Sequence, residues 1–127
     1  MSAKYNVVSR VNPRDLTAPR KFYPSYKSSG RITMRQLSKR IAQVSTVSPG
    51  DTAAVIETLL DIVPQLLEEG NIVELGALGT FRLAIKTEGS ATEAEVSVNN
   101  ITKVTPRFVP SRELKEAVAN TKFEKNA

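Results

Sequence analysis
Apolar residues follow a helical period in the middle of the chain and a period of two after Gly70. Met34, Leu37, Ile41 and Val44 stand three or four apart, and Thr33 with Gln36 makes a capping box ahead of them. This spacing predicts a helix over roughly 34–45 that turns Arg35, Lys39 and Arg40 outward. Ser48 then reads as a second N-cap, with Pro49 preset at the first helical position, Asp51 in the first turn and Gly70 just past the end. In this second helix Glu57, Thr58, Asp61, Gln65 and Glu68 form one narrow polar stripe, and apolar residues from Val55 to Leu67 cover most of the rest. A helix so apolar must be buried on more than one side, which one helix and a small sheet cannot supply, so a second subunit is implied. Pro64 deprives the Leu60 carbonyl of its bond and is expected to bend the rod there.

Beyond Gly70, Ile72–Leu75 predicts a short strand. Phe81, Leu83 and Ile85 then alternate with Arg82, Ala84 and Lys86, which predicts a second strand. A third is expected from Val96 to Val109, returning as a hairpin after the polar stretch 87–95. Ser111 is read as the N-cap of a last helix with Glu113 in its first turn and Leu114, Ala117 and Val118 on its apolar face. The tail after that helix is expected to be loose. Ahead of the first helix, Tyr5, Val7, Val8 and Val11, then Phe22, Tyr23 and Tyr26, predict two short strands along a sheet edge, joined by a turn around Asn12-Pro13-Arg14-Asp15. The order is leader, helix, turn, helix, three strands, helix, an α+β arrangement with helices on one face of the sheet.

Composition narrows the chemistry. A chain of 127 residues suits one compact domain with peripheral segments. It holds no cysteine and no histidine, which removes disulfides, thiolate nucleophiles, imidazole bases and most zinc or haem sites. Glu68-Glu69 lie on a helix end with no nucleophile nearby, so catalysis has no support. No secretory signal or membrane-length apolar run is present, and a soluble cytoplasmic protein is expected. The net charge is +5, which suits polyanionic partners such as nucleic acid. Its distribution is uneven: residues 1–32 hold seven basic groups against Asp15 alone, whereas 33–70 carry −2, 71–110 carry 0 and 111–127 carry +1. The leader is either a solubilising segment or a basic arm for nucleic acid.

The glycines of Leu75-Gly76-Ala77-Leu78-Gly79 lack the spacing of a dinucleotide fingerprint and the ending of a P-loop, and no helix follows to receive an anion. A turn between strands is the economical reading. Helix, turn, helix and strand, then Leu75-Gly76-Ala77-Leu78-Gly79-Thr80-Phe81, a long hairpin and Phe108-Val109-Pro110-Ser111-Arg112-Glu113-Leu114-Lys115-Glu116-Ala117-Val118, together resemble the HU/IHF family of bacterial histone-like DNA-binding proteins. In that family the turn typically reads GFGTF and the last helix begins FKPGKxLKxAV. The resemblance covers roughly residues 32–120, which leaves a basic extension with short strands over 1–31 and a flexible tail over 121–127. The extension is similar to that of longer HU-like proteins of Bacteroidetes-type bacteria.

The resemblance implies an α+β fold in an intertwined homodimer. It has two N-terminal helices, a three-stranded antiparallel sheet with an extended hairpin arm, a short C-terminal helix and the added N-terminal strands. It also implies a nucleoid-associated architectural protein that binds and bends double-stranded DNA through the minor groove. No cofactor, metal, membrane or small-molecule substrate is expected. Where the family arm tip carries arginine and an intercalating proline, this chain reads Thr87-Glu88-Gly89-Ser90-Ala91-Thr92-Glu93-Ala94-Glu95, with three carboxylates and no cation. Carboxylates near phosphates are repelled, which puts intercalation by this arm in doubt. Arg10-Val11-Asn12-Pro13-Arg14 has a similar composition to that tip but precedes the first helix, and is read as an Asn-Pro turn. The expected DNA contacts are Arg82 and Lys86 on one strand, Lys103 and Arg107 on the next, Arg112 where the family keeps a phosphate-contacting lysine, and Arg20, Lys21, Lys27 and Arg31 in the leader. Their alternative is an ordinary solvated face. A different reading of the whole is an HU-like protein-interaction or assembly module whose acidic tip meets a basic partner.

Overall fold
The computed structural model describes residues 2–127. They fall into two compact units, one of residues 34–117 and one in which residues 2–33 join residues 118–127.

In the unit formed by the two chain ends, β1 (Ala3–Arg10) and β2 (Lys21–Lys27) pair antiparallel, from Lys4 opposite Lys27 to Arg10 opposite Lys21. The tail was expected to be loose. Instead Phe123–Lys125 forms a strand, β6, parallel to β1, so the sheet order is β2-β1-β6. β1 is thus the centre of a sheet of its own, not an edge strand of another. Backbone bonds from Ala3 N to Lys122 O and from Asn126 N to Tyr5 O, both 2.8 Å, close the two ends of this pairing. The expected turn is built of nested side-chain bonds: the Arg14 N–H donates to Asn12 Oδ1 at 2.9 Å, and the Thr17 N–H and hydroxyl donate to Asp15 Oδ1 at 3.0 and 2.6 Å. The Thr17 hydroxyl, then its backbone N–H, hold the Asp15 carboxyl below the ordinary aspartate range.

In the other unit, α1 (Met34–Val44) and α2 (Pro49–Glu68) pack together across the short turn 45–48. Ser48 caps α2 as its sequence predicts, accepting the Asp51 N–H at 3.1 Å, and Gly70 follows with φ +91°. Each helix buries one small polar group bonded to its own preceding turn: Ser38 donates to the Met34 carbonyl and Thr52 to the Ser48 carbonyl, each at 2.8 Å. Leu37 and Val44, expected to face inward, are exposed. Among the described residues, Leu67 is the one apolar side chain that is buried.

Val73–Glu74 (β3), Gly79–Thr87 (β4) and Ile101–Pro110 (β5) make an antiparallel sheet in that order. The Leu78 N–H bonds the Leu75 carbonyl at 3.1 Å across a turn whose first central residue, Gly76, has φ +56°. Among the described residues no other residue type has positive φ, so Ala77 completes a II′ turn that suits the twist of the flanking strands. Gly79 has a different reason: φ is +149°, and a Cβ there would meet the Val109 carbonyl and approach the Phe108 ring to 2.8 Å. The glycine lets β4 lie against β5, with Phe81 and Phe108 stacked at 4.9 Å between centroids and 44° between planes.

β5 begins at Ile101, five residues later than its sequence suggests. Val96 and Val98 carry the strand signal, but Ser97 and Asn100 form a reciprocal capping box that coils the chain into a 3-10 turn at Val98–Asn100. Asn100 also donates to the Glu88 carbonyl and to Ser90 Oγ, both at 2.8 Å. The tip, residues 88–100, is therefore a folded loop and not a continued ribbon. The last helix, α3 (Arg112–Ala119), starts at Ser111, whose Oγ accepts the Leu114 N–H at 3.0 Å and donates to the Ala77 carbonyl. One side chain caps the helix and ties it to the glycine turn.

Candidate nucleic-acid interface
β4 and β5 are long for this small sheet, about 30 Å at 3.3 Å per residue. Alternation splits the ribbon into two unlike faces. One holds Phe81 opposite Phe108, Leu83 opposite Pro106 and Ile85 opposite Val104. The other holds Arg82 opposite Arg107, Ala84 opposite Thr105 and Lys86 opposite Lys103. Residues directly opposite share a face, so the four cations predicted from two separate strands lie together.

They stand as two like-charged pairs, separated along the strands by four residues or roughly 13 Å. Among the described residues the ion pairs are Lys4 with Glu124 and Arg112 with Glu116, so none of the four has a carboxylate partner. Like charges held opposite one another destabilise a sheet, and a bound anion relieves that repulsion. Ala84 and Thr105 between the pairs are short enough to leave the charged ends accessible.

Arg112 lies outside this group, at the start of α3. Its Nε donates to Glu116 Oε1 at 2.9 Å in an exposed pair of the kind that contributes little and exchanges readily for a phosphate. In the unit of the chain ends, Lys21 and Lys27 lie opposite Arg10 and Lys4 on one face of β1–β2. Arg20 donates to Ser9 Oγ at 3.4 Å, and Arg31 is exposed on the segment after β2. Sequence reasoning missed Arg10, which lies over the Tyr23 ring at 5.6 Å. Its signal was its alternation with Lys4 along β1, visible only once that strand is accepted as regular.

A two-helix base, a glycine turn and a two-faced ribbon with one cationic side define an α+β class of protein with a face suited to a polyanion. The HU-HIG family model, described as an HU domain fused to wHTH, Ig, or glycine-rich motif, matches residues 1–125, and the chain belongs to this HU/IHF family. The match takes in the N-terminal extension. Among curated relatives, DNA-binding protein HU of Thermotoga maritima is 25% identical over 89 residues, covering 68% of this chain and 99% of its own length. DNA-binding protein HU-1 of Halalkalibacterium halodurans is 31% identical over 87 residues, covering 65% of this chain and 94% of its own length. The integration host factor subunit alpha of Paramagnetospirillum magneticum is 28% identical, covering 68% and 84%. The fold is also similar to the crystal structure of a candidate bacterial DNA-binding protein from Bacteroides vulgatus, with a TM-score of 0.64 at 18% identity and 98% of this chain covered. The chain spans 47% of that solved chain's length. No helix among the described residues is long and apolar enough to cross a membrane.

Proposed function
We propose that the protein is an architectural, non-enzymatic DNA-binding protein that holds duplex DNA as a homodimer, chiefly through phosphate contacts and with low sequence specificity. The observation that carries this reading is the register of β4 and β5, which puts Arg82, Arg107, Lys86 and Lys103 on one face without a carboxylate among them. Arg112 and the extension's Arg20, Lys21, Lys27 and Arg31 add further phosphate contacts. The names of the HU relatives support the same partner.

The homodimer is supported by the near absence of a core within one chain. Val55, Leu59 and Ile62 form a second apolar stripe on α2 at helical spacing and are exposed, with Val55 at 66%. Leu83, Ile85 and Val104 on the ribbon's apolar face are exposed as well. A second copy that covers these stripes gives the protein the core that its sequence encodes. Phosphate-led binding does not require intercalation, which agrees with a tip loop that bears Glu88, Glu93 and Glu95.

The test is a binding curve on duplex DNA at several salt concentrations. A steep linear fall of log affinity with log salt, with little change between unrelated sequences, is expected. A dimer that fails to retard duplex DNA at low salt refutes the proposal. The carboxylates of the tip favour a second reading, an assembly module for a basic protein partner. Under that reading, neutralising Arg20, Lys21, Lys27 and Arg31 leaves partner binding intact.

A further inference from the structure
The sheet of the two chain ends has a face that duplex binding does not use. On it lie Tyr5 opposite Tyr26, Val7 opposite Pro24 and Phe22 opposite Ser9, with Phe123 of β6 beside Ala3. Tyr5, Val7, Phe22, Pro24, Tyr26 and Phe123 help to line a concavity of about 560 Å3. The rings are well exposed, Phe22 at 71% and Tyr26 at 72%. Buried rings are the rule in small sheets, so three rings open on one face, Phe22, Tyr26 and Phe123, beside a half-buried Tyr5 call for an occupant.

Charge selects the occupant. This unit holds nine basic residues against Asp15 and Glu124. Glu124 pairs in register with Lys4 and bonds it on the opposite face, so no carboxylate of the sheet's strands shares the ring face. Lys125 lies beside Tyr5 on the ring face. A second copy of so cationic a unit is repelled from such a surface, whereas a polyanion is drawn to it. The free edge of β2 is blunted by Pro24 between Lys21 and Lys27, which discourages addition of a partner strand. A duplex keeps its base faces stacked internally and offers the rings nothing, but a single strand presents bases and phosphates together.

We infer that the sheet of β1, β2 and β6 is a platform for single-stranded nucleic acid, on which Tyr5, Phe22, Tyr26 and Phe123 stack bases while Lys125, beside Tyr5, and Arg20, bonded to Ser9 of the same face, meet phosphates. Bases of DNA and RNA serve alike, because stacking on an aromatic ring needs only a π-face. The function is separate from the duplex grip of the ribbon and does not depend on it.

All three tyrosines of the chain, Tyr5, Tyr23 and Tyr26, belong to this sheet, and there is no tryptophan. Intrinsic tyrosine emission therefore reports on this sheet, through Tyr5 and Tyr26 on the ring face and Tyr23 on the other. The full-length protein is titrated with oligothymidylate or oligouridylate of about twelve nucleotides, within the site size of such platforms, and with a duplex of equal length. Quenching of tyrosine emission by either single strand, and much less by the duplex, is expected. The double variant Phe22→Leu with Tyr26→Leu keeps the face apolar and is expected to weaken single-strand binding by about tenfold or more, read by anisotropy of a labelled strand, with duplex affinity unchanged. The proposal is overturned if neither single strand quenches the wild type, a result that needs no variant. It is also overturned if the variant loses a higher-mass, self-associated species in sedimentation while single-strand binding persists, which assigns the face to a second copy.

Discussion

Arg82 stands directly opposite Arg107 across the β4–β5 ladder, and the same register sets Lys86 opposite Lys103. Two rows of matched positive charge on one face work against the stability of the free protein and favour an anionic ligand. Replacing Arg82 and Arg107 with glutamine is therefore expected to raise or preserve the melting temperature without DNA. The same change should weaken duplex binding and reduce the salt slope by about two phosphates' worth. Thermal melting and a salt series on the one variant read both effects. Loss of stability with unchanged DNA affinity would remove the ribbon from the interface.

Gly79 is predicted to tolerate no side chain. A Cβ there approaches the Phe108 ring to 2.8 Å and runs into the Val109 carbonyl, at a φ of +149° that other residues rarely adopt. Gly79→Ala is expected to destabilise the fold by about 2–5 kcal/mol, the sum of overpacking and backbone strain. Gly76→Ala meets no neighbour within 4 Å and carries only the strain of its φ of +56°, so its cost is smaller. Chemical denaturation of the two variants side by side measures the difference.

The contrast between these glycines shows what a sequence can and cannot display. Helix boundaries were legible because their signals are local: Ser48, Pro49 and Gly70 mark α2 through bonds and dihedrals within a turn of themselves. The start of β5 was not, because Val96 and Val98 look strand-like until Ser97 and Asn100 coil the chain around them. β6 escaped notice for the opposite reason. Three residues, Phe123–Lys125, carry no period, and their strand character comes wholly from β1, more than a hundred positions away. The candidate site lies between these cases. Alternation pairs Arg82 with Lys86 and Lys103 with Arg107, but only the register established at Gly79 opposite Pro110 puts both pairs on one face.

Self-association is expected to run through the exposed apolar stripe of α2. Val55→Glu with Ile62→Glu leaves the side that carries Leu67 intact and puts two charges where a partner's core must form. Each buried aliphatic side chain contributes about 1.5–3 kcal/mol, so dimer affinity should fall by at least two orders of magnitude. Sedimentation at micromolar concentration distinguishes the wild-type dimer from the monomeric variant. A wild type that sediments as a monomer contradicts the proposed assembly.

The turn between β1 and β2 should respond to acid. Its Asp15 carboxyl is held below the ordinary aspartate range by the Thr17 hydroxyl and then the Thr17 N–H. A lowered folded pKa means that the contribution is fully present above the unfolded value, about 3.9, and is lost as pH falls through the lower folded one. The Thr17 amide resonance followed by NMR should therefore titrate below the midpoint of a peptide of the same turn. Asp15→Asn should abolish the step.

The tip loop is predicted to restrain DNA binding. Glu88, Glu93 and Glu95 sit on the 88–100 loop that joins the two cationic strands, and Asn100 holds that loop in a defined shape through Glu88 and Ser90. Fixed negative charge at the end of a phosphate-binding ribbon repels the duplex, most strongly at low salt where screening is weakest. Glu88→Gln, Glu93→Gln and Glu95→Gln together should tighten duplex binding several-fold at about 50 mM salt, with a gain that shrinks as salt rises toward about 200 mM. An Asn100→Ala variant, which loosens the loop while keeping its charge, should show no such gain. If the triple variant binds DNA no better than the wild type, the tip stands clear of the duplex and its carboxylates serve another partner.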